Sequence, residues 1–181
     1  MCSCLLVCVT IPLGLHSADQ ARQCVLDHYL LLQTVAEKDA VVYLIGVLLA
    51  LSVAVLASVV GFARDRAYYM TLVIVFAALY VLFAVMGGSG QALSMEIAAG
   101  GIFLVLAIIG YKKNVWLLAA ALAGHGVFDF FHHLLIHNPG VPPWWPGFCG
   151  AYDVVTGGWL AVLLLRRSGP SLHSEAQHTE P

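Results

Sequence analysis

Five long apolar runs, separated by short polar segments, account for most of this 181-residue chain. Each run is close to the roughly 20 residues that a helix needs to cross the hydrocarbon core of a bilayer. The runs cover residues 40–63, 69–86, 92–109, 115–137 and 150–165. The pattern therefore predicts an all-α integral membrane bundle of five transmembrane helices.

Basic residues test this count independently, because they collect at the cytoplasmic ends of membrane helices. Pairs of them follow the first, third and fifth runs: Arg64 and Arg66, Lys112 and Lys113, and Arg166 and Arg167. The segments after the second and fourth runs, residues 87–90 and 138–149, contain no Lys or Arg. Only an odd number of spans fits this distribution. It predicts a multi-pass plasma-membrane protein with its N-terminus outside and its C-terminus in the cytoplasm.

Composition supports the lipid bilayer as the main partner and excludes several other classes. Hydrophobic residues make up 61% of the chain, charged residues 10%, and the mean hydropathy is +0.89, whereas soluble domains are about 45–50% apolar. A net charge of −2 without a basic cluster argues against nucleic acid as a partner. The five cysteines form no Cys-x-x-Cys pair, so neither a redox motif nor a disulfide framework is indicated.

The two ends of the chain differ from the central transmembrane domain, residues 40–167. Residues 1–39 form an N-terminal segment whose apolar run 4–15 has the length of a signal-peptide core. No basic residue precedes that run, so a weak signal peptide, an extra segment and a start codon placed too far upstream are alternative interpretations. Residues 18–39 suggest a polar approach with an amphipathic helix. Residues 168–181, rich in polar side chains, are predicted to be disordered.

The fourth run carries the residues that most need a functional explanation. His125, Asp129, His132, His133 and His137 interrupt its apolar sequence. An ionisable side chain at membrane depth costs several kcal/mol unless it is paired or binds a ligand. On a helix that turns about 100° per residue, the first three fall within an arc of about 60°, and the last two widen it to about 140°. One face of this helix is therefore a candidate site.

Two further carboxylates are expected at a similar depth. Glu96 lies near the start of the third run and Asp153 near the start of the fifth, so alternating helix directions bring both to the outer half of the bundle. We assign candidate catalytic roles to Glu96, Asp129 and Asp153. The candidate metal ligands are His125, Asp129, His132, His133 and His137, and the ions that suit imidazole and carboxylate are Zn, Fe or Mn.

Three interpretations of these side chains stay open. In the first, they hold a divalent metal ion. In the second, the carboxylates and histidines form a buried hydrogen-bond network that pairs helices or relays protons. In the third, His133 and His137 lie at the headgroup level, where polar tips are tolerated.

The segment 138–149 is the second distinctive stretch. Its four prolines and two glycines predict an extended, turn-rich path that is not helical. Trp144, Trp145 and Phe148 suit the aromatic belt at a membrane interface. A further hypothesis is that the segment is a lid over the polar site, admitting a lipid-like or small apolar ligand.

A family resemblance rests on the most distinctive part of the chain, residues 124–153. Its motifs are Gly124-His125, then Phe-Asp-Phe-Phe-His-His at 128–133, Pro-Trp-Trp-Pro-Gly-Phe-Cys at 143–149, and Tyr152-Asp153. Over about residues 40–166 the chain resembles a family of small polytopic bacterial membrane proteins classed as a domain of unknown function. The resemblance implies a compact helical membrane domain and carries no established activity.

Together these observations predict a polytopic membrane protein with a buried His/Asp/Glu site in its outer half. The leading hypothesis is a metal-dependent membrane enzyme, or a metal-binding protein, that acts on a lipid-like or small apolar substrate. The alternative is a non-catalytic protein, such as a small transporter or an assembly subunit. In that case the same side chains pair helices or relay protons.

Overall fold

The computed structural model describes residues 18–167, and within that range every regular element is a helix. The elements are α1 (Ala18–Val60), a short 3₁₀ helix (Phe62–Arg64), α2 (Arg66–Met86), α3 (Gly90–Lys112), α4 (Val115–Leu135) and α5 (Trp145–Arg167). By length and composition, all five α-helices can cross a membrane. The prediction of an all-α bundle with five spans is confirmed.

The chain divides into two compact units, Met1–Val41 and Val42–Pro181. The described part of the first unit is the N-terminal portion of α1, which begins at Ala18. The second unit holds the other four α-helices and the rest of α1. The apolar segment of α1 covers Glu37–Val60. The predicted signal-peptide run and the predicted disordered tail, 168–181, lie outside the described residues.

Local side-chain bonds explain where the central helices begin. Asp65 Oδ1 accepts the backbone N–H of Ala67 at 2.8 Å at the start of α2, and Ser89 Oγ accepts that of Ala92 at 3.2 Å at the start of α3. Asn114 caps α4 in the same way. Each cap satisfies an N–H that would otherwise lack a partner in the first helical turn.

The start of α5 corrects the sequence prediction for residues 138–149. The segment is irregular only as far as Trp144, and α5 begins at Trp145. Pro146 therefore lies in the first turn of a helix, where its missing N–H breaks no intrahelical hydrogen bond and its fixed φ angle suits the helix. The prolines predict a non-helical path throughout the segment, and that prediction is wrong for its last five residues.

Close packing of α4 against α5 is the feature of the fold that matters most for the site. A Cβ atom added at Gly126 would lie 2.6 Å from the carbonyl oxygen of Gly150, and one added at Gly157 would lie 2.8 Å from that of Ala119. Only glycine at these positions allows the two backbones to approach so closely. The helix α2 packs on α3 and α4, and α3 also packs on α4.

Buried side chains divide the bundle into two halves. Towards the basic end, where Lys112 and Arg167 lie, a cluster of apolar residues fills the interior: Tyr69, Val73, Ala107, Leu118, Ala119, Ala121, Leu122 and Leu160. Towards the opposite end, which we call the loop end because residues 136–144 lie there, the interior also contains polar side chains. The buried polar residues are Glu96, His125, Asp129, His132, Asn138, Asp153 and Thr156.

Candidate metal centre

Four buried side chains bring metal-ligating atoms together between α4 and α5. His125 and Asp129 come from α4, and Cys149 and Asp153 from α5. One ligand atom from each lies within 4.8 Å of the others. Their exposed fractions are only 0–2%. We refer to these four residues as the centre.

The local sequence explains why these four side chains meet. Each helix contributes two ligands four residues apart, a spacing that keeps both on the same helix face. The two helix backbones approach each other closely at Gly126 and Gly150. Those glycines are the direct neighbours of His125 and Cys149 in the chain. The glycine contact therefore presses the two ligand pairs against each other.

The hydrogen bonds within the centre are few. A bond of 2.7 Å joins His125 Nδ1 to Asp153 Oδ2, and the Cys149 thiol donates to the same oxygen with a sulfur–oxygen distance of 3.8 Å. Asp129 Oδ2 lies 3.6 Å from His125 Nδ1, which is an ion-pair distance rather than a hydrogen bond. Asp153 thus takes both of the donors that the centre offers.

Asp129 is left without a hydrogen-bond donor. Within residues 18–167, neither of its two carboxylate oxygens has a hydrogen-bond partner, and the Oδ1 atom of Asp153 also lacks one. The Tyr80 hydroxyl and the Cys149 thiol both lie close to Asp129 and interact with it, but neither meets the strict geometry of a hydrogen bond. Buried carboxylate oxygens are almost always hydrogen-bonded or bound to a cation, because burial without a partner costs several kcal/mol. One oxygen of each aspartate lies within 4.8 Å of the other ligand atoms.

A second polar layer lies between the centre and the loop end. A hydrogen bond of 2.8 Å joins His132 Nε2 to Glu96 Oε1, linking α4 to α3. The Asn138 amide donates to the same Glu96 oxygen at 2.9 Å and to the Tyr80 carbonyl at 3.2 Å. Its own side-chain oxygen accepts the N–H of Gly140 at 3.2 Å. In contrast to the centre, this layer is well supplied with hydrogen bonds.

Aromatic rings connect the layer to the centre. The ring of Tyr80 packs on His132 with a centroid distance of 4.3 Å and on His125 at 6.0 Å. Phe128 contacts the same two imidazoles at 5.7 and 6.5 Å. Phe103 contacts His125 edge-on at 4.8 Å. Both histidines are therefore fixed in orientation by rings as well as by carboxylates.

The structure brings only some of the sequence-predicted residues together. His125, Asp129 and Asp153 belong to the centre, whereas Glu96 and His132 form the second layer. The remaining two predicted metal ligands, His133 and His137, are exposed and have no part in either group. His137 lies beyond the end of α4 at Leu135, so it is not on the helix face used to place it.

Three residues of the two groups were missed from the sequence. Cys149 falls in the segment 138–149 that the sequence predicts to be non-helical, although it lies four residues before Asp153. Asn138 falls in the same segment, and Tyr80 falls in an apolar span. Cys149 alone had a usable signal, namely its helical spacing from a buried acid.

The dimensions of the centre suit a small cation. Zinc takes sulfur at about 2.3 Å and nitrogen or oxygen at about 2.0–2.2 Å, so neighbouring ligands in a tetrahedral shell lie about 3.3–3.8 Å apart. The four ligand atoms here lie within 4.8 Å of one another. A contraction of about 1 Å at the widest pair would close such a shell.

Comparison with protein-family models, with curated proteins and with solved structures gave no match. The resemblance to small bacterial membrane proteins therefore stays a prediction. Function has to be argued from the geometry of the two polar groups.

Proposed function

We propose that this protein is an integral membrane protein that binds one divalent metal ion at His125, Asp129, Cys149 and Asp153. The observation that carries the proposal is the buried carboxylate of Asp129, which has no hydrogen-bond donor within the described residues. A cation between α4 and α5 would offset the charge of the two carboxylates and give one oxygen of each a partner. It would also explain why nitrogen, sulfur and oxygen ligands converge within 4.8 Å.

The ligand set favours zinc among the three ions that the sequence suggests. Cysteine thiolate binds borderline and soft ions, whereas manganese prefers sites made of oxygen ligands. One thiolate, one imidazole and two carboxylates from Cys149, His125, Asp129 and Asp153 match the ligand types and number of a tetrahedral zinc site.

The number of ligands favours a metal-holding site over a metal-dependent enzyme. Catalytic zinc has three protein ligands and keeps a fourth position for water or substrate, whereas four protein ligands close the shell. All four side chains of the centre are at least 98% buried. We therefore place a structural, storage or transport role ahead of catalysis on a lipid-like substrate.

The second candidate is a metal-free network that joins helices. The His125–Asp153 bond links α4 to α5, and the His132–Glu96 bond links α4 to α3. Such bonds hold membrane helices together. The network accounts for Glu96 and His132, but within residues 18–167 it leaves both Asp129 oxygens without a well-formed hydrogen bond, although the Tyr80 hydroxyl and the Cys149 thiol are near. That difference favours the metal-binding function.

We also infer that the loop end faces the outside of a plasma membrane. Arg64, Lys112 and Arg167 occupy the opposite end of the helices, and basic residues favour the cytoplasmic side. The metal centre would then lie in the outer half of the bilayer.

Metal content tests the proposal. The full chain, purified in detergent without added chelator, should contain about one zinc per chain. Asp129→Asn preserves the side-chain shape and removes the charge, so it should lose most of the metal while the helical circular dichroism stays unchanged. The matched control is His133→Ala, which removes an exposed histidine of the same helix. Metal-free wild-type protein that stays folded and resists zinc loading would support the network instead.

A further inference from the structure

The following inference rests on the proposed metal-binding function and concerns the route by which an ion reaches the buried centre. Towards the basic end, the interior next to the centre is filled by apolar side chains, among them Leu118, Leu122 and Leu160. The exposed fraction of each is 0–2%. A desolvated cation would find no ligand along that path. Access from the basic end is therefore strongly unfavourable.

The interior towards the loop end differs from that towards the basic end, because it contains side chains that can bind a metal ion. Glu96 and His132 are both 2% exposed, and they lie nearer to the loop end than the centre does. His132 follows His125 by seven residues, or about 10 Å along α4. The ring of Tyr80 contacts both histidines, and its buried hydroxyl, which has no hydrogen-bond partner within residues 18–167, lies beside Asp129. Polar groups therefore lie at two levels between the loop end and the centre, with the Tyr80 side chain in contact with both.

We propose that Glu96 and His132 form a second, transient metal site through which the ion passes to the centre. A carboxylate and an imidazole are ligands of the same kinds that the centre uses, and only 2.8 Å separates Glu96 Oε1 from His132 Nε2. An ion at this position replaces that hydrogen bond. Two protein ligands leave most of its shell to water, so the ion is held weakly and moves on to the four ligands of the centre.

In this proposal, Asn138 keeps the transient site closed through its hydrogen bonds. Its amide holds the Glu96 oxygen at 2.9 Å and ties the loop to the Tyr80 carbonyl. The next turn of the loop rests on α2, where a Cβ atom at Gly140 would collide with the Phe83 carbonyl oxygen. The loop is thus seated directly over Glu96. Releasing Asn138 frees the carboxylate and opens the path.

Loading kinetics test this role. Purified full-length protein is stripped of metal and mixed with cobalt(II), which takes the place of zinc and gives a thiolate-to-metal charge-transfer band when Cys149 binds it. The band reports occupancy of the centre, because Glu96 and His132 provide no sulfur. Glu96→Gln should slow the appearance of the band about tenfold or more, with the final amplitude unchanged, since a tenfold rate change needs only about 1.4 kcal/mol. Asn138→Ala should speed it up.

The controls separate the possible failures. His133→Ala, next to His132 but exposed, should load at the wild-type rate. If Glu96→Gln and Asn138→Ala both load at that rate to full amplitude, the transient site is refuted while the centre stands. If Glu96→Gln folds but loses the final amplitude, Glu96 belongs to the resident shell and the transient role is wrong. If wild-type protein gives no band, the proposed metal-binding function itself fails.

Discussion

Asp129 and Glu96 are two buried carboxylates with opposite surroundings. Glu96 accepts hydrogen bonds from His132 and Asn138, whereas both oxygens of Asp129 lack a donor among the described residues. A buried carboxyl group without a hydrogen-bond partner is a costly feature for a fold to keep. Its retention at 0% exposure, next to three other metal-ligating side chains, is the main reason to expect a cation there.

Coupling between the two aspartates is the first prediction at this scale. Asp129→Asn and Asp153→Asn should each weaken zinc binding strongly, because each removes one charged ligand. The double variant should lose much less than the sum of the two effects, since one substitution already breaks the centre. Zinc affinities measured by competition with a chelator check this. Fully additive losses would show that the two carboxylates act independently.

The thiol gives a second prediction. Cys149→Asp replaces the only sulfur ligand of the centre by oxygen, so zinc affinity should fall while the preference for manganese over zinc increases. Affinities for both ions, measured on the same preparation, give the ratio. A ratio equal to that of the wild type would exclude Cys149 from the metal shell. Leu134→Ala, at a position 71% exposed, is the control and should change neither affinity.

At the scale of helices, the contact between α4 and α5 determines the geometry of the centre. The two backbones approach closely at Gly126 and Gly150, and this contact holds the two ligand pairs in register. Any side chain at Gly126 would push α5 away and separate His125 and Asp129 from Cys149 and Asp153. Packing and metal binding are therefore linked through two glycines.

Alanine substitutions at neighbouring glycines test this link. In Gly126→Ala the new Cβ would lie 2.6 Å from the Gly150 oxygen and 2.9 Å from Val154. Overpacking of this kind costs about 1–3 kcal/mol, and metal content should also fall. Gly124→Ala is the matched control, because its Cβ meets nothing within 4 Å. It should be neutral or stabilising by up to about 1 kcal/mol through helix propensity. Unfolding in detergent measures both, and equal stabilities would contradict the packing account.

The same interface shows why the sequence revealed only part of the centre. His125, Asp129 and Asp153 could be recognised because each is an ionisable residue within an apolar run. Cys149 was hidden by a wrong helix boundary: prolines suggested a loop up to this residue, so its helical spacing from Asp153 was not considered. The fold does place Pro146 in the first turn of α5.

Other differences come from tertiary contacts that no local pattern contains. His132 and His133 are adjacent in sequence, yet one is buried against Glu96 and the other is exposed. The side of α4 that packs on α3 carries His132 and not His133, so only His132 is buried there. Tyr80 and Asn138 are 58 residues apart and meet because the loop folds back over α2. The count of spans, in contrast, follows from hydropathy alone and needed no such information.

For the whole molecule, the distribution of buried polar residues and the distribution of basic residues distinguish the same two ends of the bundle. The apolar interior lies at the end that carries Lys112 and Arg167, and the polar interior lies at the loop end. Membrane insertion places basic loops in the cytoplasm. The orientation therefore determines from which compartment an ion arrives.

Reporter fusions test the orientation. A reporter fused after Lys113 should be active in the cytoplasm, and one fused after Pro142 should be active on the outside, because basic residues flank only the first position. A cytoplasmic signal after Pro142 would show the opposite orientation. An ion would then reach the centre from the cytoplasm. The geometry of the centre itself would not change.

The central claim is that one metal ion is bound by nitrogen, sulfur and oxygen ligands between α4 and α5. X-ray absorption at the zinc edge of the purified protein tests it most directly. We predict one sulfur neighbour at about 2.3 Å and three nitrogen or oxygen neighbours at about 2.0–2.2 Å, with the sulfur lost in Cys149→Ser. Stably bound zinc without a sulfur neighbour, or folded protein that takes up no zinc, would contradict the claim.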